Sequence, residues 1–256
     1  MIRLTAVSYH NTRPFLRGLA QTGLDRQLDI QLDIPSVSGQ RLLSGEVELG
    51  LVPVAFLERI SARFPEARIV SNWCIGCDGA VDTVALFGAC SVDRMKRIYL
   101  DYHSATSVRL VQILSREYWK VKPEFVQAEP GFRSQIREQD GGVVIGDRAI
   151  GLQEELPFAY DLGEAWKAHT GLPFVFAVWV ALKPLDEDFL LQFDEALGLG
   201  VRSIPEWVEE ESSYVPQGFD LKHYLTERIS FELDAPKRKA LDLFLEKIGH
   251  RKAQHT

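Results

Sequence analysis

Short apolar runs alternate with amphipathic stretches along most of the chain. Runs at 3–7, 28–33, 49–52, 68–71, 81–87, 97–101, 124–126, 143–145 and 174–181 have strand length and strand composition. Between them the apolar positions fall at helical spacing. Pro14 suits the first turn of a helix, where its missing N–H is no loss. Ser36-Val37-Ser38-Gly39 leads into Leu42 and Leu43, and Ser104-Ala105-Thr106-Ser107 leads into Val108, Val111, Leu114 and Tyr118. Residues 187–200 set Leu190, Phe193, Ala196 and Leu197 on one face, and 237–249 do the same with Leu241, Phe244, Leu245 and Ile248. Glu209-Glu210-Glu211 reads as a solvated helix face. Such alternation predicts an α/β protein with a mainly parallel sheet.

The last quarter is helix-rich, and one long strand, 174–181, precedes it. That asymmetry predicts a chain that leaves one lobe and returns to it. The expected lobes are 1–87 plus 177–256 and 88–176, joined by a hinge of two crossing strands near 81–87 and 174–181. A ligand cleft between lobes follows, because pockets favour domain interfaces and strand ends.

At 256 residues the chain can bury a core without disulfides. Its 46% apolar and 25% charged content belongs to an ordinary globular protein. With 29 basic and 36 acidic residues the formal charge is −7, and no basic run offers a nucleic-acid footprint. The start, Met1-Ile2-Arg3-Leu4-Thr5, has no cationic lead or apolar export segment, so a cytoplasmic protein is expected. The longest apolar run, 172–182, contains Pro173 and falls short of the about 20 residues a membrane helix needs, so no membrane partner is expected. Three cysteines make a disulfide framework improbable. Cys74 and Cys77 have the spacing of a redox or zinc pair, but no second pair accompanies them, so all three are expected as small buried residues and no metal is expected.

No phosphate loop of the GxxxxGK type and no Ser-His-Asp arrangement is recognisable. The histidines, His10, His103, His169, His223, His250 and His255, are scattered without an H-x-x-x-H pair. Three strand-to-helix junctions are instead rich in neutral donors: Ser8 to Pro14, Ser36 to Gly39 and Ser104 to Ser107. Helix N-termini offer unpaired N–H groups and about half a positive charge, which suits carboxylates. The same residue types are ordinary N-caps, worth about 1 kcal/mol each. Both readings stand, and three such junctions in a bilobed chain point to a small anionic ligand.

These segments resemble a known family. Val7-Ser8-Tyr9-His10-Asn11-Thr12-Arg13-Pro14-Phe15 is similar to the VSYLNTxPL start of the MqnA proteins, chorismate dehydratases of the futalosine route to menaquinone. Cys77-Asp78-Gly79-Ala80-Val81-Asp82-Thr83-Val84 resembles their SDGPVxSV motif, and Ser104 to Val108 their SxTSV segment. Ile145-Gly146-Asp147-Arg148-Ala149 matches IGDxA. Tyr160 to Trp166, continuing through Thr170 to Trp179, is the longest match.

The resemblance implies a two-lobed fold of the type II periplasmic-binding-protein kind. It also implies dehydration of chorismate to 3-[(1-carboxyvinyl)oxy]benzoate, with a dianionic substrate, no cofactor, and a monomer or homodimer. Asn11 and Thr83 map onto the motif asparagine and serine, as catalytic residues. Ser8, Tyr9, Ser36, Ser104, Thr106, Ser107, Gly146 and Asp147 are the expected substrate-binding residues, with Thr106 and Ser107 as carboxylate donors. The enolpyruvyl carboxylate of the substrate would itself take the ring proton. The chain departs from the pattern at His10 (usually Leu), Ala80 (usually Pro) and Thr83 (usually Ser), although Thr keeps the hydroxyl. Arg13, Arg133 and Arg148 are each open as a cationic contact. A cytoplasmic small-anion sensor, or the sister enzyme MqnD acting on a futalosine derivative, are the competing readings.

Overall fold

The computed structural model describes residues 1–212 and 215–249; His250 and His255 lie outside the described residues. Strand β1 (Ile2–Val7) runs through a 3-10 turn at His10–Thr12 into α1 (Arg13–Thr22), followed by β2 (Leu28–Asp33), α2 (Pro35–Ser44), β3 (Leu49–Pro53), α3 (Leu57–Arg63) and β4 (Arg68–Cys77). Next come β5 (Val84–Gly88), β6 (Arg97–Leu100), α4 (Thr106–Glu117), β7 (Glu124–Gln127), β8 (Asp140–Ile145), the single turn α5 (Leu152–Glu155), β9 (Phe158–Asp161) and α6 (Leu162–Thr170). After β10 (Phe174–Ala181), α7 (Glu187–Arg202) and α8 (Ile204–Glu211), the short α9 (Leu221–His223) passes into a π-helical turn at Tyr224–Arg228, then β11 (Ser230–Glu232) and α10 (Ala235–Gly249).

The described residues form two sheets, ordered β11-β4-β10-β3-β1-β2 and β7-β6-β8-β5-β9. Each has three parallel strands, β2-β1-β3 in one and β7-β6-β8 in the other. Beside them lies an antiparallel strand that enters from the other lobe, β10 in the first sheet and β5 in the second. The sheets are therefore mixed rather than mainly parallel, because each returning strand runs opposite to its new neighbours. The two-lobed α/β architecture is the one expected.

The lobe boundaries shift from expectation. Strand β5 pairs with β8 and β9, so residues 84–87 belong to the second sheet, and β10 pairs with β3 and β4, so 174–176 belong to the first. The chain crosses between sheets at 78–83 and 162–173. One carboxylate ties these crossings together. Asp161 accepts from the N–H groups of Val81 (2.9 Å) and Asp82 (2.7 Å) on one crossing, and of Gly163 (2.9 Å) and Glu164 (3.0 Å) at the start of α6 on the other.

Strand alternation explains the core. On β5, Val84 and Leu86 face one apolar cluster while Ala85 and Phe87 face another, and β8 splits Val143 and Ile145 from Val144 in the same way. Both faces are buried, which is why these strands read as continuous apolar runs. Strand β4 extends to Cys77, beyond the expected 68–71, because Asp194 of α7 satisfies its polar stretch, accepting from Ser71 Oγ (2.7 Å) and Asn72 N–H (2.8 Å). Helices α1 and α7 meet backbone to backbone. A Cβ on Gly18 would stand 1.9 Å from the Ala196 oxygen, and one on Gly200 1.9 Å from the Pro14 oxygen. Cys74, Cys77 and Cys90 are free and buried, and burial pushes the Cys74 thiol up to about 12. Glu211 is not solvated as expected; it pairs with Arg13 and Arg17 of α1, while Glu209 and Glu210 are exposed. Among the described residues no helix is long and apolar enough to cross a membrane.

Candidate active site

A cavity lies between the lobes, a position that small-molecule sites favour. The first sheet contributes Val7 at the end of β1 with Tyr9 and Asn11 beyond it, Pro53 at the end of β3, and Phe176 and Ala177 of β10. The second lobe contributes Ser104, Thr106 and Ser107 at the start of α4, and Ile145 and Gly146 at the end of β8. The crossing segment adds Val81 and Thr83. Strand ends are where a parallel ladder opens and backbone donors become available to a ligand.

One wall carries a buried polar cluster. Asn11 Nδ2 donates to the Tyr224 hydroxyl at 3.2 Å, and Thr83 Oγ1 lies 2.8 Å from the same oxygen. Tyr224 comes from the π-helical turn far along the chain and is fully enclosed; burial pushes its phenol well above its ordinary value, so it is neutral. The opposite wall is the start of α4. Ser104 Oγ accepts from Ser107 N–H at 2.9 Å, which leaves the Ser104 proton to be donated elsewhere. The Ser107 hydroxyl has no partner among the described residues. Thr106 Oγ1 is engaged: it donates to the Phe176 carbonyl at 3.2 Å and accepts from Ala55 N–H at 3.3 Å. Among the lining residues only Tyr9 titrates, and burial pushes its phenol above its ordinary value too. Among the described residues, no carboxylate, imidazole or amine lines the cavity.

The cleft is closed by contacts between lobes. Tyr9 Oη and His103 Nδ1 are 2.7 Å apart, and the Tyr9 ring lies against Gly146 so closely that a Cβ there would meet it at 2.3 Å. His10 N–H donates to Asp147 Oδ1 at 3.3 Å, with its Nε2 3.7 Å from Oδ2. Ser36 N–H donates to the His103 carbonyl at 3.0 Å.

Comparison with known proteins gives the family. Residues 2–250 match the family described as menaquinone biosynthesis. The chain belongs to this menaquinone biosynthesis family. The chorismate dehydratase of Thermus thermophilus is 30% identical over 236 residues, covering 84% of this chain and 85% of that protein. Among solved structures, protein AF1704 from Archaeoglobus fulgidus superposes with a TM-score of 0.76 at 15% identity, covering 98% of each chain. The Candida albicans CA3427 gene product, described as having the generic periplasmic binding protein fold, gives 0.60 at 16% identity, covering 97% of this chain and 94% of that one. The two-lobed binding-protein fold read from the motifs is therefore the fold of this chain.

Against this family background, the structure gathers Asn11, Thr83, Tyr9, Ser104, Thr106, Ser107 and Gly146 around one cavity and leaves three expected residues outside its lining. Ser8 is exposed, its N–H spent on the Asp33 carbonyl at 2.9 Å. Ser36 sits inside α2, which begins a residue earlier at Pro35, and its side chain faces an outer groove with Val37 and Gln40. Asp147 lies outside the lining and accepts instead from the His10 backbone N–H. Thr106 lines the cavity, but its hydroxyl joins the lobes and is not free to donate to a carboxylate. The three candidate cations are also accounted for. Arg13 pairs with Glu211, Arg148 with the buried Asp101, and Arg133 donates to the Arg148 carbonyl. Sequence reasoning missed Tyr224 and His103 as site residues. Nothing around Tyr224 forms a motif, whereas His103 sits one residue before the SxTSV segment.

His103 links the stability of the fold to pH. Burial, then the Arg148 charge, hold its imidazole below the ordinary value of 6.5, against the opposing pull of Asp101. The folded protein thus prefers neutral His103. Stability from this group is complete above pH 6.5 and is lost as pH falls through the lowered folded value, because the unfolded chain takes up the proton first. The thermal midpoint is expected to drop between pH 7 and pH 5, and to drop less in His103→Gln. An unchanged pH slope in that variant would remove His103 from the account.

Proposed function

We propose that this protein is a chorismate dehydratase, a lyase that converts chorismate to 3-[(1-carboxyvinyl)oxy]benzoate and water. The observation that carries this reading is a cavity between the lobes bordered by Asn11, Thr83, Ser104 and Ser107, with no carboxylate, imidazole or amine in its lining among the described residues. An elimination there can draw its base from the substrate, since chorismate brings one in its enolpyruvyl carboxylate.

The ring carboxylate fits against the hydroxyls of Ser104 and Ser107 at the first turn of α4, whose partial positive charge favours an anion. When the enolpyruvyl carboxylate removes the C3 proton, electrons move through the diene toward that ring carboxylate, and the helix end stabilises the charge that develops. The C4 hydroxyl then departs and takes the proton back from the new carboxyl group, leaving water and the aromatic product. Asn11 and Thr83 hold the enolpyruvyl side and donate to its carboxylate or to the departing hydroxyl. Orientation of this kind is worth about 7–11 kcal/mol when the reacting groups are well aligned. Access requires the lobes to part about the crossings at 78–83 and 162–173. A monomer or a homodimer is compatible with this reading, and a cytoplasmic setting suits a biosynthetic enzyme.

Purified protein mixed with chorismate is expected to yield a product lighter by one water with a benzoate absorbance. Tight binding without turnover would instead make this a small-anion sensor.

A further inference from the structure

We propose that Tyr224 is a positioning residue for the dehydration: its phenol, anchored by Asn11, fixes the direction of the hydrogen bond at Thr83, so that Thr83 offers its proton to the substrate. This rests on the reading of Asn11 and Thr83 as the groups that face chorismate.

The argument is one of donors and acceptors. The Asn11 amide nitrogen can only donate, so at 3.2 Å the Tyr224 oxygen is its acceptor. The phenol has a single proton, and it is fully buried, where an unused O–H is costly. Its remaining neighbour is Thr83 Oγ1, at 2.8 Å. The phenol therefore donates to Thr83, and the Thr83 oxygen accepts. The Thr83 proton must then turn elsewhere. Among the described residues it meets only the Val81 carbonyl at 3.5 Å, the outer limit of a hydrogen bond, while the other direction is the cavity that Thr83 lines. A hydroxyl that already accepts a bond is a better donor, so the run from Asn11 through Tyr224 to Thr83 strengthens the last link. The phenol does this without lining the cavity that holds Asn11 and Thr83. It is brought there by the π-helical turn at Tyr224–Arg228, a local widening of the helix of the sort found at functional sites.

Tyr224→Phe keeps the ring and its packing and removes only the oxygen. It is expected to lower kcat about tenfold, the worth of one net hydrogen bond, with KM within about twofold of the parent. The decisive measurement is the same substitution made on Thr83→Val, where the proton to be directed is gone. There Tyr224→Phe should change kcat by less than about twofold, since it acts through Thr83. Full multiplicative loss in the double variant would show that Tyr224 acts independently of Thr83 and would overturn the proposal, as would unchanged kcat in Tyr224→Phe alone. Should Thr83→Val and Asn11→Ala both turn over chorismate at the parental rate, the assignment of the site itself fails, a result distinct from either of those.

Discussion

Replacing Asn11 by Ala is expected to cut kcat/KM by about 10²–10³ while the protein melts within a few degrees of the parent, the loss typical of removing one preorganised donor from a developing charge. The amide stands in the 3-10 turn at His10–Thr12, one face on the cavity and one bond on Tyr224. Its removal takes away a donor for the enolpyruvyl side of the substrate and also the anchor that orders the Tyr224 phenol. The fall should lie mainly in kcat, because the interaction strengthens as charge and leaving hydroxyl develop. Steady-state kinetics with chorismate check this, alongside a melting curve. An Asn11→Ala enzyme with near-normal kcat would exclude the residue from the chemistry.

Gly146→Ala should act on closure. Gly146 has φ +65, in the left-handed region, where a Cβ costs of order 1 kcal/mol, and that Cβ would also meet the Tyr9 ring at 2.3 Å. The first effect belongs to the second lobe whether the cleft is open or shut. The second exists only when Tyr9 of the first lobe comes down onto the glycine. Gly146 N–H further donates to the Thr83 carbonyl at 2.8 Å, so a shift here also moves Thr83. A loss in kcat/KM of at least about tenfold is expected, from strain and displacement of about 1–3 kcal/mol. Gly151→Ala is the control: its φ is +79, yet a Cβ there meets nothing within 4 Å. It should lower the melting point comparably and leave turnover intact. Equal turnover in both variants would mean that the Tyr9 contact does not govern closure.

Much of this architecture was legible in the pattern of residues. Strands 28–33 and 174–181 appear where the apolar runs put them, and α4 and α7 follow their stripes. What the pattern missed is short or partly exposed: β9, an edge strand with half its residues exposed, and the three-residue β11. Their pairing depends on neighbours distant in sequence, so no local period marks them. The polar middle of β4 misled for the same reason, since Asp194 that completes it lies 122 residues away from Asn72.

By itself the sequence determined the alternation of strands and helices, the two lobes and the donor-rich turns that identify the family, because periodicity and turn chemistry are properties of neighbouring residues. Only the tertiary structure decided which donors remain free. It spent the Thr106 hydroxyl on joining the lobes, turned Asp147 onto His10, and set Tyr224 between Asn11 and Thr83. A hydrogen-bonding group has few valences, and what fills them is settled by chain segments that meet only on folding.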